Sequence, residues 1–336
     1  MSADARTMSC MEVWGGSDAA DAAVTLNGLD AWVYSKPYEQ AGAGGDIYYV
    51  SACATGHINR LLVADVAGHG AKVRDIATTL RDLMRRYVNY LDQSKFVTSM
   101  NHQFVECSAA GCFATAIVTT FFASTRTLSV CNAGHPPPLV WRNKAREWSH
   151  LVPAGSRTAD AETDADADTD TDTDTDNVRT PGNLPLGITD YDDCAQFDTP
   201  LDVGDMVLVY TDSLIEARDT QGEMLGPTGL LTLVRQVLPN PDPATLIPTL
   251  LNTIDQQTAG GLKADDVTTL LLRANGTGGG IKLHKSFLAP FRILASVARA
   301  IAGKGPMSLP DWNLPNLGGA MIPALGRLWA KRTRPS

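Results

Sequence analysis

"LLVADVAGHGAKV", residues 61–73, runs four apolar or small residues into Asp65, then makes a small-residue turn that carries His69. With Arg60 in front, "RLLVADV" has the β-branched, apolar character of a strand. Behind the turn, Val73, Ile76, Ala77, Leu80, Leu83, Met84, Tyr87, Val88 and Leu91 recur at i, i+3, i+4, i+7 spacing, so 72–91 reads as a helix with one buried face. A strand that ends in a carboxylate and turns through glycines into a helix puts Asp65 at a sheet edge. Whether His69 pairs with it as acid and base is the question the stretch raises.

Downstream, "ATAIVTTFFAS", "TLSVCNAG" and "PPLVW" read as further strands, with a helix around 96–107 before them. "DMVLVYTD" and "DVTTLLLR" are two more strands, separated by helices near 228–238 and 244–257. Strands and helices come in blocks without strict alternation, which gives an α+β class with mainly antiparallel sheets.

Aspartates stand at the ends of these strands. Asp65 ends one and Asp212 another, while Asp46 precedes "IYYVSA" and Asp265 with Asp266 precedes "VTTLLLR". In an antiparallel pair the end of one strand lies beside the start of its neighbour, so trailing and leading carboxylates converge on one edge. Carboxylates packed there repel unless cations neutralise them, and an all-oxygen set suits Mg²⁺ or Mn²⁺ rather than zinc. Taken singly, an aspartate after a strand is also an ordinary turn former or helix N-cap.

The words around these aspartates carry more. "GAGGDIYYV", "LLVADVAGHGAKV", "FATAIV", "NAGHPPPLV", "LPLGI", "VLVYTDSLIEARD" and "ADDVTTLLL" occur in that order between residues 40 and 273. This resembles the bacterial SpoIIE-like branch of the PPM metal-dependent serine/threonine phosphatases. The resemblance implies a four-layer α-β-β-α sandwich, two antiparallel sheets flanked by helices, around two Mn²⁺ or Mg²⁺ ions. It implies Asp65 as bridging ligand with the Val66 backbone carbonyl beside it, Asp46 on one metal, and Asp212 with Asp265 on the other. Asp266 would stand behind these ligands. The implied reaction is hydrolysis of phosphoserine or phosphothreonine on a small regulator of the anti-anti-sigma type by a metal-activated water, with no phospho-enzyme. Eukaryotic-type members carry Asp-Gly-His, whose histidine position is Ala67 here, so His69 is not its equivalent. The glycines of "GHG" suit a tight turn, and His69 either shapes it or hydrogen-bonds behind the ligands. His135 is expected to shape a proline-rigidified turn. Gly45 and Gly68 are expected to admit close backbone approach or positive φ.

The 336 residues, 44% of them hydrophobic, suffice for a sizeable core. Six cysteines at 10, 53, 107, 112, 131 and 194 lack Cys-x-x-Cys spacing, and neither a disulfide framework nor structural zinc is expected. The first thirty residues show no secretory signal or transmembrane run, which fits a cytoplasmic protein. The net charge of −9 hides two opposed segments. Nine acids between Asp160 and Asp176 alternate with Thr or Ala, and an insert of about 157–180 is expected to be a solvated, disordered loop. It attracts cations weakly but lacks the Gly and Glu of an EF-hand. A phosphatase domain over 1–275 is thus followed by a linker and basic tail, 276–336, where residues 281–336 carry nine Lys or Arg against Asp311. Within it 285–302 is amphipathic, with Pro290 interrupting. Three readings of this segment stay open: an anionic membrane surface, a partner protein, or folding back on the domain. No nucleic-acid partner is expected, because only this tail is basic. The alternative to an enzyme is a weakly active or inactive phosphatase-fold scaffold.

Overall fold

The computed structural model describes residues 6–38, 44–53, 56–67, 71–87, 92–108, 113–153, 183–190, 193–219, 221–258, 262 and 265–277. His69, Gly68, Val88, Leu91, Cys112, the acidic insert and the segment 285–302 lie outside the described residues.

The described chain opens with strands β1 (Arg6–Thr7), β2 (Val13–Gly16), β3 (Ala20–Leu26), β4 (Leu29–Lys36), β5 (Asp46–Ala52) and β6 (Ile58–Val66), followed by helices α1 (Ala71–Arg86) and α2 (Ser94–Ser108). Then come β7 (Ala114–Phe122), β8 (Thr127–Ala133), β9 (Leu139–Arg142), β10 (Glu147–His150), β11 (Phe197–Pro200) and β12 (Met206–Tyr210). Helices α3 (Gly226–Val237) and α4 (Leu246–Gln257) precede the last strand, β13 (Val267–Ala274). One sheet has the order β1-β3-β4-β13-β12-β9-β10, the other β11-β8-β7-β6-β5-β2. The strand pairs are antiparallel except β1 with β3.

Period-two side-chain alternation sorts each central strand into two faces. Val63, Leu61, Tyr48, Val50, Ile117 and Phe121 of one sheet meet Val33, Val207, Val209, Leu270 and Leu272 of the other to form the middle layer. The opposite face of the six-stranded sheet, with Ile47, Tyr49, Leu62 and Ala64, takes Val73, Ala77, Leu80 and Met84 of α1 and Phe96, Met100 and Phe104 of α2. Leu139, Trp141, Leu208 and Leu271 of the seven-stranded sheet take Leu230 and Val234 of α3 with Leu250 and Ile254 of α4. The architecture is therefore the expected four-layer α-β-β-α sandwich. Its central strands read as continuous apolar runs because both faces are covered.

Buried polar groups tie the α1–α2 corner to its sheet. The Arg60 guanidinium, 1% exposed, donates to Thr120 Oγ1 (3.0 Å) and the Tyr87 carbonyl (2.7 Å) and lies over the Phe96 ring. Gln93 Nε2 donates to the Val118 carbonyl at 3.1 Å.

One expectation is corrected. Cys131 of β8 and Cys194, 63 residues apart, are joined by a disulfide, with Asn183 Nδ2 within 3.5 Å of both sulfurs. No local spacing announces the pair, because the chain returns to β8 only after the acidic insert.

Phe121, fully buried in the middle layer, tests whether that layer is the common core. Phe121→Ala should cost about 3–5 kcal/mol, read as a lower urea midpoint with both helix layers melting in one transition.

Candidate active site

The β5–β6 register puts Asp46 opposite Asp65, and the β6–β7 register puts Asp65 opposite Thr115. Residues directly opposite share a face, so Asp46, Asp65 and Thr115 form a row at the end of the middle layer. On the facing sheet, β12 ends at Tyr210, and the next residues continue its edge. The Thr211 N–H donates to the Thr268 carbonyl at 3.0 Å, and the Thr268 N–H donates back to Thr211 Oγ1 at 3.0 Å. Asp212 then opens a single 3-10 turn, Asp212–Leu214, whose first carbonyl accepts from the Ile215 and Glu216 N–H groups. Asp265 and Asp266 sit directly before β13 at this same end.

The two edges are fastened by Thr211, whose hydroxyl donates to Asp46 Oδ2 at 2.9 Å across the sandwich. Asp46 is 3% exposed. Burial, followed by the nearby Asp65 charge, pushes its carboxyl well above the ordinary range, against the lowering effect of Thr211 and Thr268. Asp65 rises to about 7, through desolvation first and then the charges of Asp212, Asp265, Asp266 and Glu216. Asp212 is raised by burial and by Glu216 and Asp265. Each carboxylate thus stands in the repulsive field of the others. The expected ligands Asp46, Asp65, Asp212 and Asp265 come together at one end of the fold. Among the described residues, no group of three or more His, Cys, Asp or Glu side chains is placed so that it could hold a metal ion. The donor set is nonetheless all oxygen, crowded and partly desolvated, which fits hard divalent cations in kind.

Asp266 has a different occupation. Its carboxylate accepts from the Tyr38 N–H at 2.6 Å and from the Gly45 N–H, pinning the backbone just ahead of Asp46 to the start of β13. A Cβ on Gly44 would fall on that carboxylate. Close approach is therefore what Gly44 provides, and Gly45 does not take positive φ. Val66 joins the same clasp, its N–H donating to the Gly45 carbonyl at 3.2 Å.

His135 is 4% exposed, and Asn132 knits its turn: Asn132 Oδ1 accepts from the His135 N–H (2.7 Å) and Asn132 Nδ2 donates to the His135 carbonyl (2.8 Å). Gly134 takes φ +70° there, and a Cβ on it would meet Pro185 Cγ at 2.6 Å. Burial holds the ring neutral, lowering its pKa to about 3 against a weaker raising effect of the Tyr210 backbone. The "LPLG" segment lies at this edge as well, with Leu186 and Ala114 exchanging backbone hydrogen bonds.

Sequence reasoning did not single out Thr211, Thr268, Thr115 or Glu216. The signal available for the first two was a threonine placed between a strand end and an aspartate in "YTD", and the paired threonines of "DDVTT".

Comparisons with known proteins bear on the family and the fold. The family model for Stage II sporulation protein E (SpoIIE) matches residues 56–171 and 168–275, and the chain belongs to that family. Among solved structures, the RsbU and RsbW domains of Rv1364c from Mycobacterium tuberculosis are similar at 19% identity and TM-score 0.55, over 88% of this chain and 80% of that one. The PP2C phosphatase domain of SpoIIE with a regulatory-domain fragment, from Bacillus subtilis, matches at 12% identity and TM-score 0.55, over 73% and 63%. RsbX in complex with magnesium matches at 15% identity and TM-score 0.51, over 76% and 99%. The fold is that of the PPM phosphatases.

Two outcomes are expected. Gly44→Ala displaces the Asp266 carboxylate and unclasps the strand before Asp46, so the melting temperature should fall; an unchanged value contradicts the clasp. Because unfolded His135 takes up a proton near pH 6.5 that the folded ring refuses until about 3, it lowers stability as pH drops below 6.5. The melting temperature of His135→Gln should therefore decline less between pH 7 and 5 than that of the natural protein.

Proposed function

We propose that the protein is a metal-dependent protein serine/threonine phosphatase acting on a phosphorylated regulatory protein. The observation that carries this reading is the convergence of Asp46, Asp65, Asp212 and Asp265 at one end of a PPM sandwich, with burial first and neighbouring carboxylates second raising Asp46, Asp65 and Asp212. Asp46, Asp65, Asp212, Asp265 and the Val66 carbonyl would hold two Mn²⁺ or Mg²⁺ ions. When bound, such ions lower the pKa of water and neutralise charge on a phosphoryl oxygen. The magnesium named with RsbX is a property of that protein and supports the same choice here.

The chain's own residues supply order. β5 and β6 present Asp46 and Asp65 side by side, Thr211 holds Asp46 from the opposite sheet, and Asp266 anchors the approach to it. His135 is neutral near pH 7 and so adds no positive charge to the site. In the reaction, water oxygen bonds to phosphorus as the bond to the serine or threonine oxygen breaks, and the protein forms no covalent link to phosphate. A small anti-anti-sigma-type substrate and a cytoplasmic location belong to this proposal. Among the described residues no helix is long and apolar enough to cross a membrane. The segment 285–302 is proposed to bind a partner or an anionic membrane surface peripherally, and loss of vesicle co-sedimentation on deleting 276–336 tests the latter.

The decisive assay is manganese-dependent hydrolysis of p-nitrophenyl phosphate. Chelation should abolish it and added Mn²⁺ restore it, while Asp65→Asn and Asp212→Asn should each lose at least about 100-fold, above the range for residues behind metal ligands. Equal rates in all three proteins would leave a scaffold. His69→Ala should hurt much less than Asp65→Asn.

A further inference from the structure

The row that begins with Asp46 and Asp65 does not stop at the carboxylates. Thr115, on the far side of Asp65, stands between it and the residue that follows β8. Its hydroxyl is 3.0 Å from His135 Nδ1. His135 is fixed in turn by its backbone bonds to Asn132, and the Gly134–Pro185 contact closes the turn from outside. A threonine hydroxyl has one hydrogen to donate and two lone pairs. The bond to His135 uses one of these in a fixed direction, and the β6–β7 register sets Thr115 directly opposite Asp65 on the shared face.

We propose that Thr115 and His135 are positioning residues for Asp65, the histidine ring orienting the threonine hydroxyl and the hydroxyl restraining the carboxylate in the direction a divalent cation needs. This rests on the phosphatase reading for its consequence in catalysis, but its first consequence is metal affinity. The neighbours of a carboxylate ligand decide how much of its orientation is already set before the cation arrives, and loss of such a partner commonly weakens binding 10–100-fold. Asp46 already has support of this kind, since it accepts from the Thr211 hydroxyl at 2.9 Å; Thr115 would give Asp65 its counterpart.

The test is calorimetric titration of the full chain with MnCl₂, alongside melting temperature of the metal-free protein and p-nitrophenyl phosphate kinetics. Thr115→Val keeps the shape and removes the hydroxyl; it should bind Mn²⁺ about tenfold more weakly with little change in melting temperature. Thr115→Ser should restore affinity to within about twofold, because the hydroxyl is back. His135→Gln should weaken binding in the same direction, and the Thr115→Val/His135→Gln double variant should be no weaker than the Thr115→Val single, since both act through one bond. Thr115→Val binding Mn²⁺ as the natural protein does, or Thr115→Ser binding as poorly as Thr115→Val, overturns the proposal. Should Thr115→Val fail to fold, natural affinity in His135→Gln overturns it equally. A natural chain that binds Mn²⁺ but hydrolyses no phosphoester defeats the phosphatase reading alone, and the titrations still decide Thr115. One that binds no Mn²⁺ defeats both.

Discussion

The hydrogen bond from Thr211 to Asp46 joins the two sheets at the end where charge is concentrated, and much of the site's order depends on it. Elsewhere the sheets adhere through apolar burial, which is strong but without direction. At this end the middle layer runs out of apolar residues and gives way to carboxylates, whose desolvation and mutual repulsion oppose closure. A hydroxyl donated to one of them, and backbone N–H groups donated to Asp266, offset part of that cost with directed bonds. The same bonds set where the acids stand, so stability and site geometry come from one set of contacts.

That arrangement explains why the fold tolerates a cluster of acids. Each is attached to an element whose other residues are deeply buried: Asp46 and Asp65 to strands inside the six-stranded sheet, Asp212 to the end of β12, and Asp265 and Asp266 to the start of β13. The central strands are covered by helices on their outer faces, which leaves little freedom to splay apart. Burial, and after it repulsion, therefore appears as raised pKa values on Asp46, Asp65 and Asp212, an environment that a cation would relieve.

Much of this was legible beforehand. The 3.6-residue period placed α1, which starts within one residue of the reading and ends at Arg86 where 91 was expected, while α2, α3 and α4 lie within two residues of their expected ends; the aspartates at strand ends foretold the shared edge because antiparallel pairing leaves few other arrangements. The N-terminal strands β2 to β4 were not legible: "VWGG" and "ADAAVTL" are rich in Gly and Ala, which carry little strand preference, and the pairing of β4 with β13 joins residues more than 200 positions apart. The Cys131–Cys194 bond and the Thr115–His135 contact were hidden for the same reason, since neighbours across a sheet leave no local pattern. Glu216 was passed over because it lies beyond the short Asp212–Leu214 turn, where no period shows.

The clasp between Asp266 and the Gly44–Gly45 backbone has a wider consequence. Glycine pairs invite a reading as hinges, but this one is an occupied seat, the missing side chain of Gly44 leaving room for the carboxylate that accepts from the Gly45 N–H, 221 residues away. "GGD" and "DDVT" are thus two halves of one lock. Neither half can drift without the other, and a side chain at 44 would be tolerated only beside a matching retreat at 266.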